Sequence, residues 1–118
     1  MTLEWEQVIV HSVDPVALGQ WWASALGWVV VHSSDDEFEI RPAPDRTPGL
    51  DFVRIDEVKK AKSRLHLDFR PDDRDAEVAR LVAHGAKRVD VGQGDDQSWV
   101  VLADPEGNEF CILGRLQE

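Results

Sequence analysis

Tyrosine is absent from the 118 residues, and cysteine and methionine occur once each. The lone cysteine, Cys111, excludes an internal disulfide and fits a reducing, cytoplasmic setting. No run of about eighteen apolar residues is present, which excludes a membrane-spanning helix. The opening residues, Met-Thr-Leu-Glu-Trp-Glu, lack the basic and apolar regions of a secretory signal. Positive charge is scarce as well: 13 Lys and Arg face 23 Asp and Glu, for a net charge of −10. That balance repels nucleic-acid phosphates and anionic lipid, so the expected partner is a small molecule, with no nucleic acid and no membrane. One basic run, Lys59-Lys60-Ala61-Lys62-Ser63-Arg64, departs from it and reads as a solvated linker or a steering patch for an anionic ligand.

The organising stretch is the closing hairpin, Ser98 to Leu113. Two apolar-rich runs flank Asp104-Pro105-Glu106-Gly107-Asn108. Pro105 presets φ for a turn, and Gly107 or Asn108 can take the positive φ that returns the chain. Upstream, the strand and helix signals come in a repeated order. Trp5 to Ser12 alternates as a strand, and Asp14-Pro15 caps a helix. Leu18, Trp21, Trp22, Ala25 and Leu26 set its apolar stripe, and Gly27 ends it. Strands follow at Trp28–His32, Glu37–Arg41 and Leu50–Ile55. The order then repeats. Leu65 to Arg70 alternates strictly, and Asp72 or Asp73 caps a helix bearing Val78, Leu81 and Val82. Gly85 ends that helix, Lys87–Val91 is a short strand, Gly92–Asp96 a turn, and the closing hairpin completes the half.

The chain thus reads as a β-α-β-β-β unit written twice. We expect one α+β domain over residues 1–118, with module 1 at about 4–56, a linker at 57–63 and module 2 at about 64–114. The two modules should form a curved, mostly antiparallel sheet around a shared cavity, with the helices on the outer face. Gly49-Leu50-Asp51-Phe52-Val53 counts against Gly107-Asn108-Glu109-Phe110-Cys111 in the repeat.

Strand parity then divides the side chains. Val8, Val10, Leu50, Phe52, Leu65, Leu67, Phe69, Phe110 and Ile112 suit packing under helices. Gln7, Ile9, His11, Asp51, Val53, His66, Asp68, Arg70, Glu109 and Cys111 share the other face, which is too polar for a dry core. Of these, Gln7, His11, Asp51, Val53, His66, Asp68, Glu109 and Cys111 are the expected ligand-binding set.

His66 and Asp68, two apart on one strand, are the best chemical pair. They read as a general base with its tuning carboxylate, or as a satisfied polar cluster lining a cavity. Cys111 reads as a thiolate only if His66 or Arg70 lowers its pKa, and otherwise as an inert buried cysteine. His11 reads as a pocket or rim residue, whereas His32 and His84 fall near element ends. Arg54 and Arg64 suit a ligand carboxylate or a surface salt bridge. Five tryptophans in so short a chain fill a core and a dimer interface, or wall a pocket for an aromatic ligand.

The doubled pattern resembles the vicinal oxygen chelate superfamily, which contains glyoxalase I, bleomycin-resistance proteins and extradiol dioxygenases. The resemblance rests on Asp14-Pro15 with Trp21-Trp22 and Leu26-Gly27, on Leu65-His66-Leu67-Asp68, and on Asp104-Pro105-Glu106-Gly107-Asn108. It is strongest to the small glyoxalase-like bacterial proteins and covers about residues 4–114. It implies a metal site with one residue on the first strand of each half, here Gln7 and His66. One more comes from the last strand of each half, here Val53 and Cys111. Valine cannot bind a metal, so Gln7, His66 and Cys111 leave the set one ligand short. Asp51 and Glu109 share that face and would substitute only after a backbone shift. The resemblance therefore implies a degenerate metal site in a protein that binds or sequesters a small, aromatic or antibiotic-like ligand without a cofactor. The alternative is a metal-dependent lyase, isomerase or dioxygenase in which Gln7, His66 and Cys111 hold Zn, Ni, Mn or Fe and His66 is catalytic. A second alternative is a non-catalytic structural or regulatory module. The resemblance also implies a homodimer.

Overall fold

Asp14 starts the first helix by accepting a hydrogen bond on Oδ1 from the Ala17 amide at 3.2 Å, and its own amide donates to Ser12 Oγ at 3.0 Å. In the computed structural model, which describes residues 3–56, 65–89 and 98–114, this cap joins β1 (Gln7–Ser12) to α1 (Pro15–Leu26). Pro15 occupies the first turn, and Gly27 closes the helix at φ 68°. Then come β2 (Val29–Ser33), β3 (Glu37–Arg41) and β4 (Gly49–Arg54). These belong to the first of two units, Met1–Val58 and Lys59–Glu118.

The sheet of the first unit runs β1-β4-β3-β2. β1 and β4 pair in parallel and the other two pairings are antiparallel, with a bulge between Val30 and His32. Phe38, Ile40, Leu50 and Phe52 are buried with Leu18, Trp22 and Ala25 of α1. Trp22 supplies the expected core tryptophan, with Trp21 edge-to-face against it at 5.0 Å. The helix approaches β3 closely because residue 19 lacks a side chain: a Cβ there would stand 2.2 Å from Phe38 Cδ2. At the sheet margin, Val29, Val30 and Val31 of β2 remain exposed.

The second unit repeats the order with β5 (Leu67–Phe69), α2 (Arg74–Ala83), β6 (Lys87–Arg88), β7 (Val100–Ala103) and β8 (Glu109–Ile112). Its sheet runs β5-β8-β7-β6, again with the first and last strands parallel. Asp73, rather than Asp72, caps α2 through the Ala76 amide at 3.1 Å. The closing hairpin forms as expected, and Gly107 takes the positive φ, at 88°. Asp104 Oδ1 accepts from the amides of Glu106 and Asn108, both at 2.9 Å, and the Asn108 side chain donates to both carboxylate oxygens. The turn residue is a buried acceptor for the loop it starts.

Two expectations need correction. Leu65 is 84% exposed and lies outside β5, which begins at Leu67. Alternation through Leu65 and His66 continued the pattern of a strand that the backbone pairing with β8 does not reach. Val82 is 41% exposed because α2 buries the narrower stripe of Val78 and Leu81. The basic run, the linker at 57–63 and the Gly92–Asp96 turn lie outside the described residues.

Candidate functional site

β5 and β8 build the chemical cluster of the second module. Their parallel register sets Asp68 opposite Cys111, with Leu67 and Phe69 opposite Phe110 and Ile112. Phe69 packs edge-to-face on Phe110 at 6.0 Å, so the apolar parity faces the core and Asp68 and Cys111 share the other face. His66, two residues before Asp68, joins that face, and its Nε2 lies 3.1 Å from Asp68 Oδ1. The ligand-type atoms of His66, Asp68 and Cys111 all lie within 4.8 Å of one another. Cys111 is buried, while the His66 and Asp68 side chains are about half exposed. A buried sulfur beside two half-exposed polar groups can offer three donor atoms at once. Glu109, half-buried on the same strand, pairs with Ala103.

The polar face of the first module carries a different chemistry. Gln7 Nε2 donates to Asp51 Oδ2 at 3.3 Å. Asp51 is only 3% exposed, and its Oδ1 has no hydrogen-bond partner. Glu39 stands directly across β3 from Asp51, and Glu37 stands across from Val53. Burial, then the hydrogen bond and charge of Glu37, then the charge of Glu39, push the Asp51 carboxyl up to about 7. An ionised Asp51 leaves Oδ1 without a donor, whereas a protonated one shares its hydrogen with Glu37. Arg41 relieves only part of this acidity, with Nη2 at 3.3 Å from Glu39 and 2.9 Å from Glu6. His11 is exposed, and Val53, its partner across the strands, is half-buried. Arg54 is held by Asp36 at 3.0 Å and by the carbonyls of Val13 and Asp35.

Glu37 and Glu39 were not among the expected site residues. The signal for them was present in Glu37-Phe38-Glu39-Ile40-Arg41, whose alternation puts two carboxylates on the face opposite Phe38 and Ile40.

The register also revises the repeat. Ile9, two residues after Gln7, pairs with Asp51, and Asp68, two residues after His66, pairs with Cys111. Asp51, not Val53, is therefore the counterpart of Cys111. The loops leading into the last strands differ in length, so counting from Gly49 and Gly107 displaced the match. The first module keeps a carboxylate where the sequence count had placed a valine.

The sequence matches the family described as Glyoxalase-like domain over residues 7–113. The chain belongs to that family. It thereby belongs to the vicinal oxygen chelate superfamily, as the doubled sequence pattern led us to expect. Among solved structures, this glyoxalase-like protein is similar to a glyoxalase/bleomycin resistance protein/dioxygenase family enzyme from Burkholderia phytofirmans. That match has 20% identity and a TM-score of 0.75, over 97% of this chain and 100% of that one. It is also similar to the bleomycin-binding protein of Streptomyces verticillus, with 17% identity and a TM-score of 0.65 over 98% and 99%. A third similarity is to the trypanothione-dependent glyoxalase I of Leishmania major, with 14% identity and a TM-score of 0.73 over 96% and 87%. At these identities the structures share the fold. No curated protein matches the sequence. No helix among the described residues is long and apolar enough to cross a membrane.

Proposed function

We propose that this glyoxalase-like protein binds a small molecule at the polar face of its second module, through a divalent ion held by His66, Asp68 and Cys111. The observation supporting this reading is the convergence of imidazole, carboxylate and thiol within 4.8 Å. The donor set fits such an ion. A mixed nitrogen, oxygen and sulfur set suits Zn²⁺, Ni²⁺ or Fe²⁺, whereas Mg²⁺ and Ca²⁺ take oxygen alone. Two ligands on a tetrahedral zinc with bonds of about 2.0–2.3 Å stand about 3.3–3.8 Å apart, so small rotations of the exposed His66 and Asp68 suffice. When bound, such an ion supplies a Lewis acid to which a ligand oxygen or nitrogen attaches.

The chain's own groups do the remaining work. Cys111 would hold the ion, as the thiolate, through a sulfur already out of bulk water. Asp68 fixes the orientation of the His66 ring from 3.1 Å. Binding or sequestration needs nothing further. The bleomycin-binding protein of the same fold is an instance of a ligand-holding relative.

The His66–Asp68 contact favours one second reading, a lyase, isomerase or dioxygenase in which His66 moves a proton. Turnover of a hemithioacetal or a catechol by metal-supplemented protein, lost in His66→Ala, selects it.

The deciding experiment for the first reading is a Co²⁺ titration of untagged protein followed by thiolate-to-cobalt charge-transfer absorption. One equivalent should bind, and Cys111→Ser should abolish the band. No band in the wild type, or an unchanged band in Cys111→Ser, overturns it.

A further inference from the structure

The polar face of the second module runs on past its three-donor cluster. Arg70 follows Asp68 by two residues and precedes Pro71, which holds the backbone at position 70 extended. The Leu113 amide donates to the Phe69 carbonyl at 2.8 Å, so β5 and β8 stay together to that point. Alternation therefore carries from Asp68 to Arg70, beside Leu113. On the other flank of β8, a Cβ on Gly114 would strike the Ser98 carbonyl. The register that sets Val100 opposite Ile112 and Val101 opposite Cys111 thus continues beyond β7. Ile112 is buried on the core side, so Trp99 and Leu113 take the face of Val101 and Cys111. Trp99 is 38% exposed there. Arg70, Leu113 and Trp99 form one row across three strands, about 6–7 Å along from Asp68 and Cys111.

Arg70 is a cation without a counter-ion. It is exposed, and among the described residues its side chain makes no hydrogen bond or ion pair. Acids outnumber bases 23 to 13 in this chain, and Arg41, Arg54, Arg74 and Arg80 are each tied to a carboxylate. The acids near Arg70 are engaged elsewhere. Asp68 is turned to His66 at 3.1 Å, and Asp73 accepts from the Ala76 amide as the cap of α2.

We infer that Arg70 and Trp99 form a subsite for an aromatic carboxylate. The guanidinium takes the carboxylate through two parallel N–H bonds. The ring lies on the Leu113 side chain and the Trp99 indole. Two strand spacings, about 9–10 Å, separate the backbones of Arg70 and Trp99, a span that a two-ring acid fills. The acidity of the chain repels anions in general, so one uncommitted guanidinium decides where an anion can settle. The inference rests on the small-molecule reading of this face and deepens it by naming the charge and the ring of the ligand. It does not use the metal.

The test uses the full chain freed of metal by a chelator, with 2-naphthoate as probe and 2-naphthamide as its uncharged isostere, followed by two-dimensional NMR. Naphthoate should saturably shift the amides of Arg70 and Leu113 and the indole N–H of Trp99. Naphthamide should bind at least about tenfold more weakly, the loss expected for one charge-assisted hydrogen bond. Arg70→Gln should weaken naphthoate to the level of naphthamide, and Trp99→Ala should weaken both. Arg70 is exposed, so Arg70→Gln keeps the fold, and its unchanged amide spectrum elsewhere verifies this. Equal binding of naphthamide, undiminished naphthoate binding by Arg70→Gln, or no shift at these residues overturns the inference. The cobalt titration reads the metal without the acid and this titration reads the acid without the metal, so the two failures are separate results.

Discussion

Gln7 and Asp51 are joined diagonally across the parallel β1–β4 pair, amide to carboxyl at 3.3 Å, because Asp51 stands opposite Ile9 rather than opposite Gln7 itself. In the second module His66, just before the paired residues of β5, likewise lies within 4.8 Å of Cys111, which stands opposite Asp68. One backbone geometry, used twice, carries an amide and a carboxyl in the first half and an imidazole and a thiol in the second. The two polar faces therefore differ in chemistry and respond to different perturbations.

Asp51 makes stability depend on pH. Its folded carboxyl holds a proton up to about 7, well above the ordinary carboxylate range. The folded state thus binds more protons than the unfolded one through that window. This contribution is fully present below about pH 4 and is lost as pH rises through about 7. Denaturant unfolding should show a fall on the order of 2–3 kcal/mol between about pH 5 and pH 8. Asp51→Asn should flatten the profile and exceed wild type at the alkaline end. A parallel decline in the variant would assign the effect elsewhere.

Metal affinity should rank the three donors of the second module. Removing Cys111 or His66 takes away a ligand and should lower Zn²⁺ affinity by at least about a hundredfold. Asp68→Asn, which keeps the side chain's size and a neutral oxygen donor but loses the ligand's charge, should cost about tenfold to a hundredfold. Competition against a chromophoric chelator measures all three. Equal, small losses would mean that the ion sits elsewhere.

Asp104 supports a turn more than a site. Its carboxylate accepts from two backbone amides and from the Asn108 side chain while buried. Asp104→Ala should destabilise by about 2–4 kcal/mol, since two part-buried amides and the Asn108 side chain lose their partner. Thermal unfolding measures this, and a loss below about 0.5 kcal/mol would show that water replaces the carboxylate.

Gly19 should resist a substitution that helix propensity favours. Alanine gains up to about 1 kcal/mol inside a helix, but its Cβ would meet Phe38 at 2.2 Å. The net change in Gly19→Ala should be destabilising by about 1–3 kcal/mol. Phe38→Leu in the same chain should recover part of it, and a double-mutant cycle reads the coupling.

The doubled order, the two caps and the closing hairpin were legible because each rests on local chemistry. Asp14 and Asp73 cap where a short acceptor side chain precedes a helix, and Gly107 turns where φ must be positive. The polar face was legible for Gln7, Asp51, His66, Asp68 and Cys111 because strand alternation is strict. The match of Asp51 with Cys111 was not, since it depends on hydrogen-bond register between strands more than forty residues apart. Leu65 shows the same limit: alternation gives the face of a residue but not whether a neighbouring strand reaches it. The crowding of Asp51 by Glu37 and Glu39 was beyond the sequence altogether, because it arises from the meeting of β3 with β4.

β2 has its own consequence. It terminates the first module's sheet, with the bare valines 29–31 and a single bulge between Val30 and His32. Among the described residues no strand pairs with one margin of its main chain, so an extended peptide can zip onto it. At high concentration this ribbon is the place where the protein would begin to precipitate, and a lysine at position 30 is the least invasive remedy.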